Sequence, residues 1–344
     1  MENAGPQRPI NCKNLLSSRD LYPGREVPAH VIPVPGTVSE AMQKIIADPK
    51  APPQWFRKTP QTPEQWHEVI CGYDEEEKKN SRLIRAALKV CTEELSVAGV
   101  TCHRVTPVEV SHPDRLLIHT HGGAYVFGTG EAGLSEAALV AAYSQSPVVS
   151  VDYRMPPAYP CPAGIEDVVT VWQEMLKSHD RAHSAMFGSS AGGGMTMAAT
   201  LKLKQLGLPL PAALFLGSPW AHIDKIADSQ SANAKTDNLL YVYDDLLAAA
   251  ARLYANGQSL DEPLLSPLCG DLRGFPPSII MTGTRDLFLS LAALTHRTLR
   301  MADVPAELYV FEAASHIQFL FFPAPECDEA MKAVAAFFDR HLGA

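Results

Sequence analysis

Short apolar runs alternate with helical stretches along the last two thirds of the chain. Six runs have the length and composition of strands, and the segments between them can each hold a crossover helix. Parallel neighbouring strands need connections of that length. The pattern therefore predicts an α/β fold with a mostly parallel sheet of at least six strands, flanked by helices. The runs cover residues 115–120, 147–153, 184–187, 212–217, 278–282 and 307–311.

The first sixty residues are rich in proline, which interrupts helices and leaves room for one short helix at 38–46. From 63 to 97, charged and apolar residues recur at helical spacing, and Gly99 follows. This pattern predicts one long surface helix.

Residues 220–275 separate the fourth and fifth runs and form a segment longer than one crossover requires, with a helix expected at 238–255. We expect this insertion, together with the arm at 1–60, to form a lid. The catalytic core is then built from residues 61–219 and 276–344.

The segment Gly188-Ser-Ser190-Ala-Gly192 is G-x-S-x-G at the end of a predicted strand, followed by a helical pattern. Glycines suit both flanks because a nucleophile in a strained strand-to-helix turn leaves no space for neighbouring β-carbons. The helix N-terminus also favours the negative charge that develops on a reacting serine. Ser190 is therefore the candidate nucleophile.

The strand at 115–120 runs directly into His121-Gly-Gly-Ala-Tyr125. Acyl transfer needs N–H donors for an oxyanion, and a glycine-rich turn after a strand can supply them. We expect the donors to be Gly123, Ala124 and the residue after the nucleophile, Ala191.

A serine nucleophile also needs a base and an acid that orients the base. Asp286 follows the run at 278–282, and His316 follows the run at 307–311. Both positions lie just past the carboxyl ends of strands, where ligands bind on open α/β sheets. The order serine, acid, histidine is the order expected for this arrangement.

Composition narrows the class of protein. The chain has 344 residues, of which 46% are hydrophobic and 19% charged, and its net charge is −9. The acidic balance, without a basic run, argues against a nucleic-acid partner. Seven dispersed cysteines, never spaced C-x-x-C, argue against a zinc cluster. With no apolar stretch of membrane-spanning length, we expect a cytoplasmic protein without a membrane partner.

Together these motifs resemble the bacterial hormone-sensitive-lipase-like esterases of the α/β-hydrolase fold. The resemblance runs from about residue 115 to the C-terminus and also includes Asp152-Tyr-Arg154 and Pro162-Ala-x-x-Glu-Asp167. It implies that Ser190, Asp286 and His316 are catalytic, and that the glycine-rich segment and Ala191 form the oxyanion hole. A lid built from the N-terminal segment and the insertion is implied as well.

Two positions depart from the family pattern. Ala124 stands where a third glycine is usual, and Ser189 stands where Asp or Thr usually precedes the nucleophile. The first adds a methyl group beside the oxyanion site. The second changes the hydrogen bonding behind the turn.

The predicted reaction is hydrolysis of short- to medium-chain carboxylic esters, with a small-molecule substrate and no metal or organic cofactor. Lactone or activated-amide hydrolysis and acyl transfer use the same triad and stay open, as does a homodimer. Five aromatic residues are candidates for the pocket wall: Tyr125, Phe127, Trp220, Phe288 and Phe319.

Two hypotheses that assign the chain to another functional class remain. Gly128-x-Gly130-x-x-Gly133, with Asp152 nineteen residues further on, fits the dinucleotide fingerprint of an NAD-binding oxidoreductase. The fingerprint begins eight residues after its strand instead of immediately, which weakens that interpretation. A non-catalytic small-molecule binding protein on the same fold is the other reading, and the complete triad disfavours it.

Overall fold

A computed structural model describes residues 24–48 and 59–343 of the chain. The rest of the arm predicted at 1–60 lies outside these residues. Within the described residues the strands are β1 (Cys91–Val97), β2 (Val100–Thr106), β3 (Leu116–Thr120), β4 (Val148–Val151), β5 (Ser184–Ser189), β6 (Ala213–Gly217), β7 (Ser278–Gly283) and β8 (Ala306–Phe311). The α-helices are α1 (Glu40–Ala47), α2 (Pro63–Leu88), α3 (Leu134–Ser144), α4 (Ala163–Met175), α5 (Ala191–Gln205), α6 (Ser229–Ala232), α7 (Leu246–Ala255), α8 (Leu289–Met301) and α9 (Pro325–His341).

The eight strands form one sheet in the order β1-β2-β4-β3-β5-β6-β7-β8. β2 pairs antiparallel with both β1 and β4, and every pair from β4 through β8 is parallel. The mostly parallel α/β sheet expected from the alternating pattern is thus confirmed, and all six predicted strands are present. Their carboxyl ends share one edge, where the candidate catalytic residues are gathered.

The first two strands correct the expectation of a helix over 63–97. The helix ends at Leu88 because Lys89 adopts a left-handed conformation, with φ 54°. Residues 91–97 instead pair with 100–106 across a two-residue turn in which Ala98 and Gly99 both have positive φ, 49° and 87°. Such a turn matches the twist of a β-hairpin. Gly99 therefore marks a hairpin and not a helix end.

The insertion at 220–275 is less helical than expected. Of the helix predicted at 238–255, the stretch from Leu246 onward forms as α7. Before it, the Asp237 carboxylate accepts hydrogen bonds from the N–H groups of Leu239 and Leu240, at 2.9 Å each. A side chain that bonds its own following backbone competes with a helix. The short predicted helix at 38–46 is present as α1, displaced by one or two residues.

Two apolar cores cover the two faces of the sheet. Alternate residues of the central strands face opposite sides, so that Ile118 and Met186 belong to the core under α4 and α5. Leu117 and Phe187 belong to the core under α3 and α9. Truncating a fully buried side chain such as Phe187 to alanine would cost about 3 to 5 kcal/mol. This burial stabilises the central strands, whose carboxyl ends carry the candidate residues.

Candidate active site

Ser190 lies in the turn between β5 and α5. Its backbone has φ 59° and ψ −126°, a conformation that residues other than glycine rarely adopt. Its N–H donates to the carbonyl oxygen of Gly217 at 2.7 Å, which ties the turn to β6. A β-carbon at Gly188 or Gly192 would lie 2.2 Å or 2.0 Å from the Thr120 carbonyl oxygen. The close approach of β3 therefore requires glycine on both sides of the serine.

A buried polar network, which the sequence reasoning missed, supports this turn from behind. The carboxylate of Glu136 accepts hydrogen bonds from the Ser189 hydroxyl at 2.6 Å and from the Ser189 N–H at 3.1 Å. His119 Nε2 lies 3.3 Å from the same carboxylate, and its Nδ1 lies 2.8 Å from the hydroxyl of Ser150. Ser189 thus receives from α3 a carboxylate partner close to Ser190, the candidate nucleophile.

Asp286 and His316 meet in a buried contact. Asp286 follows β7 and His316 follows β8, and Nδ1 of the imidazole lies 3.0 Å from Asp286 Oδ1. The same oxygen accepts the Phe288 N–H at 2.7 Å, and Oδ2 accepts the Thr282 hydroxyl at 2.8 Å. The carboxylate is therefore held in one orientation by its own loop.

The environment of Asp286 favours its ionised form. Burial alone would raise the pKa of this carboxyl group, but the charge and hydrogen bond of His316, with hydrogen bonds from Ser218 and the Phe288 N–H, hold the pKa below its usual value. An ionised Asp286 fixes the proton of the imidazole on Nδ1 and leaves Nε2 as the basic nitrogen.

Ser190 and His316 both line one cavity at this edge of the sheet. Nε2 of His316 is buried and has no hydrogen-bond partner among the described residues. Its position beside the cavity leaves it available to take a proton from a group that reacts there.

The turn after β3 carries the expected oxyanion donors. Gly123 and Ala124 line the cavity with positive φ values of 113° and 52°. Within the described residues, their N–H groups donate no backbone hydrogen bond. Ala191 is the first residue of α5, so its N–H has no carbonyl partner inside the helix. The structure thus brings three candidate donors to one end of the molecule.

His121 stabilises the same turn as a neutral ring. Burial lowers its pKa to about 4, against the opposing effect of Asp152. Nδ1 lies 2.8 Å from the Gly122 carbonyl oxygen, and the ring stacks on Tyr153 with centroids 4.2 Å apart. Because a carbonyl oxygen only accepts, Nδ1 must carry the hydrogen.

The cavity has a volume of about 350 Å³ and an unexpected wall. Tyr73, Glu76 and Glu77 of α2 line one side, a contribution that the sequence reasoning did not foresee. The insertion contributes Leu239 and Leu240 to the wall. Apolar side chains therefore lie near Ser190 and His316 in the cavity, and acidic side chains lie on the α2 side.

The five aromatic residues predicted for the pocket wall lie in different places. Phe127 lines the cavity. Tyr125, Trp220 and Phe288 instead form a buried row, with ring centroids 5.6 Å and 5.4 Å apart, and Phe319 lies in the core on the other face. These four residues therefore pack next to the site, and their assignment to the pocket wall stays a prediction. Aromatic residues next to a motif fill the core as readily as they line a site.

The glycines of the dinucleotide-like segment have a different use. The N–H of Gly128 donates to Asp74 at 2.8 Å, and the N–H of Gly130 donates to Asp152 at 3.1 Å. Asp152 is the residue that would bind a ribose in a dinucleotide site. Its hydrogen bond to the loop speaks against the NAD-binding interpretation.

Three residues of metal-ligand type lie together outside the cavity. Ligand atoms of His222, Asp261 and Cys269 all fall within 4.8 Å of one another. Nε2 of His222 lies 3.3 Å from Asp261, and burial lowers the pKa of this imidazole. Within the described residues none of the three lines the cavity of Ser190, so we give them no part in the chemistry.

The described helices include none that is both long enough and apolar enough to cross a bilayer.

The α/β fold and the arrangement of Ser190, Asp286 and His316 are typical of a serine hydrolase. Comparison with known proteins identifies the family. Residues 117–320 match the family model described as the alpha/beta hydrolase fold. The chain belongs to this family, in its hormone-sensitive-lipase-like branch, as the resemblance implied.

Several relatives are similar over most of their length. An acetyl-hydrolase of Streptomyces hygroscopicus is 30% identical over 72% of this chain and 83% of its own, and an esterase of Acinetobacter venetianus is 28% identical over 65% and 74%. The crystal structure of esterase E25 is 41% identical, has a TM-score of 0.90, and matches over 93% of this chain and 99% of its own. An esterase of the bacterial hormone-sensitive lipase family is 29% identical with a TM-score of 0.71, over 83% of this chain and all (100%) of its own.

Proposed function

We propose that the protein is a serine carboxylesterase that hydrolyses short- to medium-chain carboxylic esters through an acyl-enzyme on Ser190. Membership of the hydrolase family, with esterases and an acetyl-hydrolase among the relatives, supports ester hydrolysis. The observation that carries the mechanism is that Ser190, in its strained turn, and His316, bonded to buried Asp286, line one cavity.

In the first step, Ser190 Oγ attacks the ester carbonyl carbon while Nε2 of His316 takes the hydroxyl proton. The alcohol then leaves with that proton as the tetrahedral intermediate collapses. Asp286 keeps the proton of Nδ1 in place and stabilises the imidazolium that forms. Its fixed hydrogen bonds to Thr282 and the Phe288 N–H support this role.

The N–H groups of Gly123, Ala124 and Ala191 stabilise the oxyanion of the intermediate. Donors that are already oriented and sheltered from water lower the barrier without reorganisation during the reaction. In the second step, Nε2 of His316 takes a proton from a water molecule as the water oxygen attacks the acyl carbon. The bond from that carbon to Ser190 Oγ then breaks, the carboxylic acid leaves, and His316 returns the proton to Oγ. These steps require no metal or organic cofactor.

The cavity sets the substrate size. Each added methylene of an acyl chain gains about 0.8 kcal/mol while it displaces water from apolar wall. A cavity of about 350 Å³ fills after a short or medium chain, and Leu239 and Leu240 then limit further length. The insertion at 220–275 acts as part of a lid of this cavity through Leu239 and Leu240. Much of the arm at 1–60, for which a lid role is also predicted, lies outside the described residues.

Serine-reactive labelling tests the assignment. An aryl phosphonate should modify the wild type at Ser190 with loss of activity, and Ser190→Ala should remain unlabelled. We expect Ser190→Ala to lose on the order of 10⁴-fold or more in kcat on an aryl acetate, because only the oxyanion hole and binding effects remain. Wild-type turnover by this variant contradicts the assignment.

Lactone or activated-amide hydrolysis and acyl transfer share the same acyl-enzyme, since only the bond cleaved or the acceptor differs. A panel of esters, lactones and activated amides, assayed with and without an added alcohol, separates these activities.

Location and assembly are further proposals. We place the protein in the cytoplasm, a location that the free thiols of Cys71, Cys91, Cys102, Cys161 and Cys327 support. Cell fractionation tests this, and thiol titration of the unfolded, unreduced chain should find these five cysteines reactive. Light scattering of the purified protein tests for a homodimer.

A further inference from the structure

The segment 229–240 of the insertion, which we call the clasp, holds the loops of both the acid and the base. Near the acid, the Asn233 side chain donates to the carbonyl oxygens of Thr284 and Asp286, at 3.1 Å and 2.8 Å. The Ser229 hydroxyl donates to the Leu287 carbonyl oxygen at 2.8 Å. The clasp is therefore bonded to residues on both sides of the acid.

The same segment reaches the histidine loop. The N–H of Asn238 donates to the Ser315 hydroxyl at 3.1 Å, and the Gln318 side chain donates to Asn238 Oδ1 at 2.6 Å. Ser315 and Gln318 flank His316 in the chain. One short stretch of the insertion thus contacts both loops that must keep Asp286 and His316 in register.

Asp237 is at the centre of the clasp and is fully buried. Its Oδ2 accepts the N–H of Leu287 at 2.9 Å and the N–H of His316 at 3.3 Å. Its Oδ1 accepts the N–H groups of Leu239 and Leu240, two residues of the cavity wall. A single carboxylate therefore joins the acid loop, the base loop and the wall.

We propose that Asp237 is a positioning residue for the reaction, whose carboxylate clamps the backbone of the Asp286 and His316 loops in the geometry of catalysis. It acts through these residues and does not touch the reacting atoms. The inference rests on the proposed function of Ser190, Asp286 and His316.

The charge of Asp237 connects the clamp to pH. Burial and the neighbouring Asp286 raise the pKa of Asp237 to about 6, against His316 and the N–H donors, which lower it. Asp286 and His316 are the titratable groups that face it among the described residues. Because protonation turns one of the two accepting oxygens into a hydroxyl, the clamp weakens as the pH falls through this value.

The test compares Asp237→Asn with Asp228→Asn, an exposed aspartate of the same insertion. An amide at 237 cannot accept at both ends of the side chain. A small misplacement of reacting groups can cost on the order of 10²-fold in rate, so we expect kcat on an aryl acetate to fall by that factor with KM nearly unchanged. The control should behave as the wild type.

The pH profile of kcat/KM distinguishes positioning from general destabilisation. The wild-type acid limb should be steeper than one proton allows, because His316 and Asp237 must both lose a proton. In Asp237→Asn the limb should follow one proton, because only His316 must then lose one. Wild-type kcat, or a limb unchanged in slope, overturns the proposal.

Two further measurements keep the result decisive. If Asp237→Asn fails to fold, the acid limb of the wild-type kcat/KM profile tests the proposal by itself. A slope of one proton in that limb overturns the clamp. Phosphonate labelling of Ser190, run alongside, separates the two hypotheses. If the wild type is labelled and active, and Asp237→Asn has the same kcat and pH profile, the clamp alone is rejected. If the wild type is neither labelled nor able to hydrolyse esters, the proposed function is rejected.

Discussion

Ser189 donates its hydroxyl to the carboxylate of Glu136 at 2.6 Å, directly beside the proposed nucleophile. The backbone N–H of Ser189 donates to the same carboxylate at 3.1 Å. The Ser–Glu pair accounts for the departure from the family pattern at residue 189: the neighbour of the nucleophile gains its acidic partner from α3 and not from its own side chain. Glu136 also lines the cavity, so it contacts both the turn and the space next to Ser190.

Replacing Glu136 by alanine should damage both stability and turnover. The change leaves two donors of Ser189 unsatisfied in a buried site, which costs about 1 to 3 kcal/mol for each buried group. Glu136→Gln keeps an acceptor and should lie between Glu136→Ala and the wild type. Urea unfolding and kcat on an aryl acetate measure the two effects, with exposed Glu329→Gln on α9 as the control. Equal behaviour of Glu136→Ala and the control contradicts this role.

Asp286→Asn should lose turnover while the protein stays folded. An amide at this position no longer requires the Nδ1 proton, so the imidazole can present the wrong tautomer to Ser190. We expect kcat to fall on the order of 10⁴-fold. Asp303→Asn is the matched control, because Asp303 is exposed and its positive φ of 57° suits asparagine. Near wild-type kcat in Asp286→Asn removes Asp286 from the triad.

The fold could be predicted from sequence because the buried strands carry their signal locally. Ser184–Ser189 is buried at every position, as expected for a strand covered on both faces. The hairpin was missed for the opposite reason: most of Cys91–Val97 is exposed or half-buried, so its alternation is weak and resembles the helix before it. The turn residues Ala98 and Gly99 held the better signal.

The same distinction between local and distant sequence signals separates the predicted features of the site from those that were missed. The family and its ester-hydrolysing class are confirmed, since motifs fixed by backbone geometry can be recognised in one sequence. Catalytic roles for Ser190, Asp286 and His316 stay predictions, although the structure brings these loops together. Glu136 had a usable signal, because a lone carboxylate in an apolar helix must find a partner when buried. The role proposed for Asp237 had none, since the N–H groups of Leu287 and His316 that it binds lie in loops far away in sequence.

Acidification should destabilise the fold through His121. Burial holds its folded pKa at about 4, below the ordinary 6.5. Between these values the unfolded chain binds more protons, so stability is full above the unfolded value and is lost as the pH falls toward the folded one. The loss is up to about 3 kcal/mol at 1.36 kcal/mol per pH unit.

His121→Gln cannot be protonated and should lose less stability than the wild type on acidification. Unfolding free energies from urea titrations at about pH 7.5 and about pH 5 measure the difference, and carboxylates that titrate in the same range cancel between the two proteins. The same loss of stability in both proteins rejects a buried neutral His121.

The last prediction concerns substrate size at the oxyanion turn. Ala124 lines the cavity with a positive φ of 52°, so its methyl group occupies space beside the proposed oxyanion donors in a conformation that glycine adopts more easily. Ala124→Gly keeps the N–H and removes the methyl group. The variant should therefore accept bulky or tertiary alcohol esters better than the wild type does, while its rate on small acetates changes little. Specificity constants across an acyl series and an alcohol series measure this.

Activity in both proteins should peak at short or medium chains and then fall, because carbons beyond the filled cavity must displace Leu239 or Leu240 or stay in water. Best activity on long-chain emulsified lipid contradicts the roofed cavity, and an unchanged alcohol profile in the variant contradicts the role of Ala124.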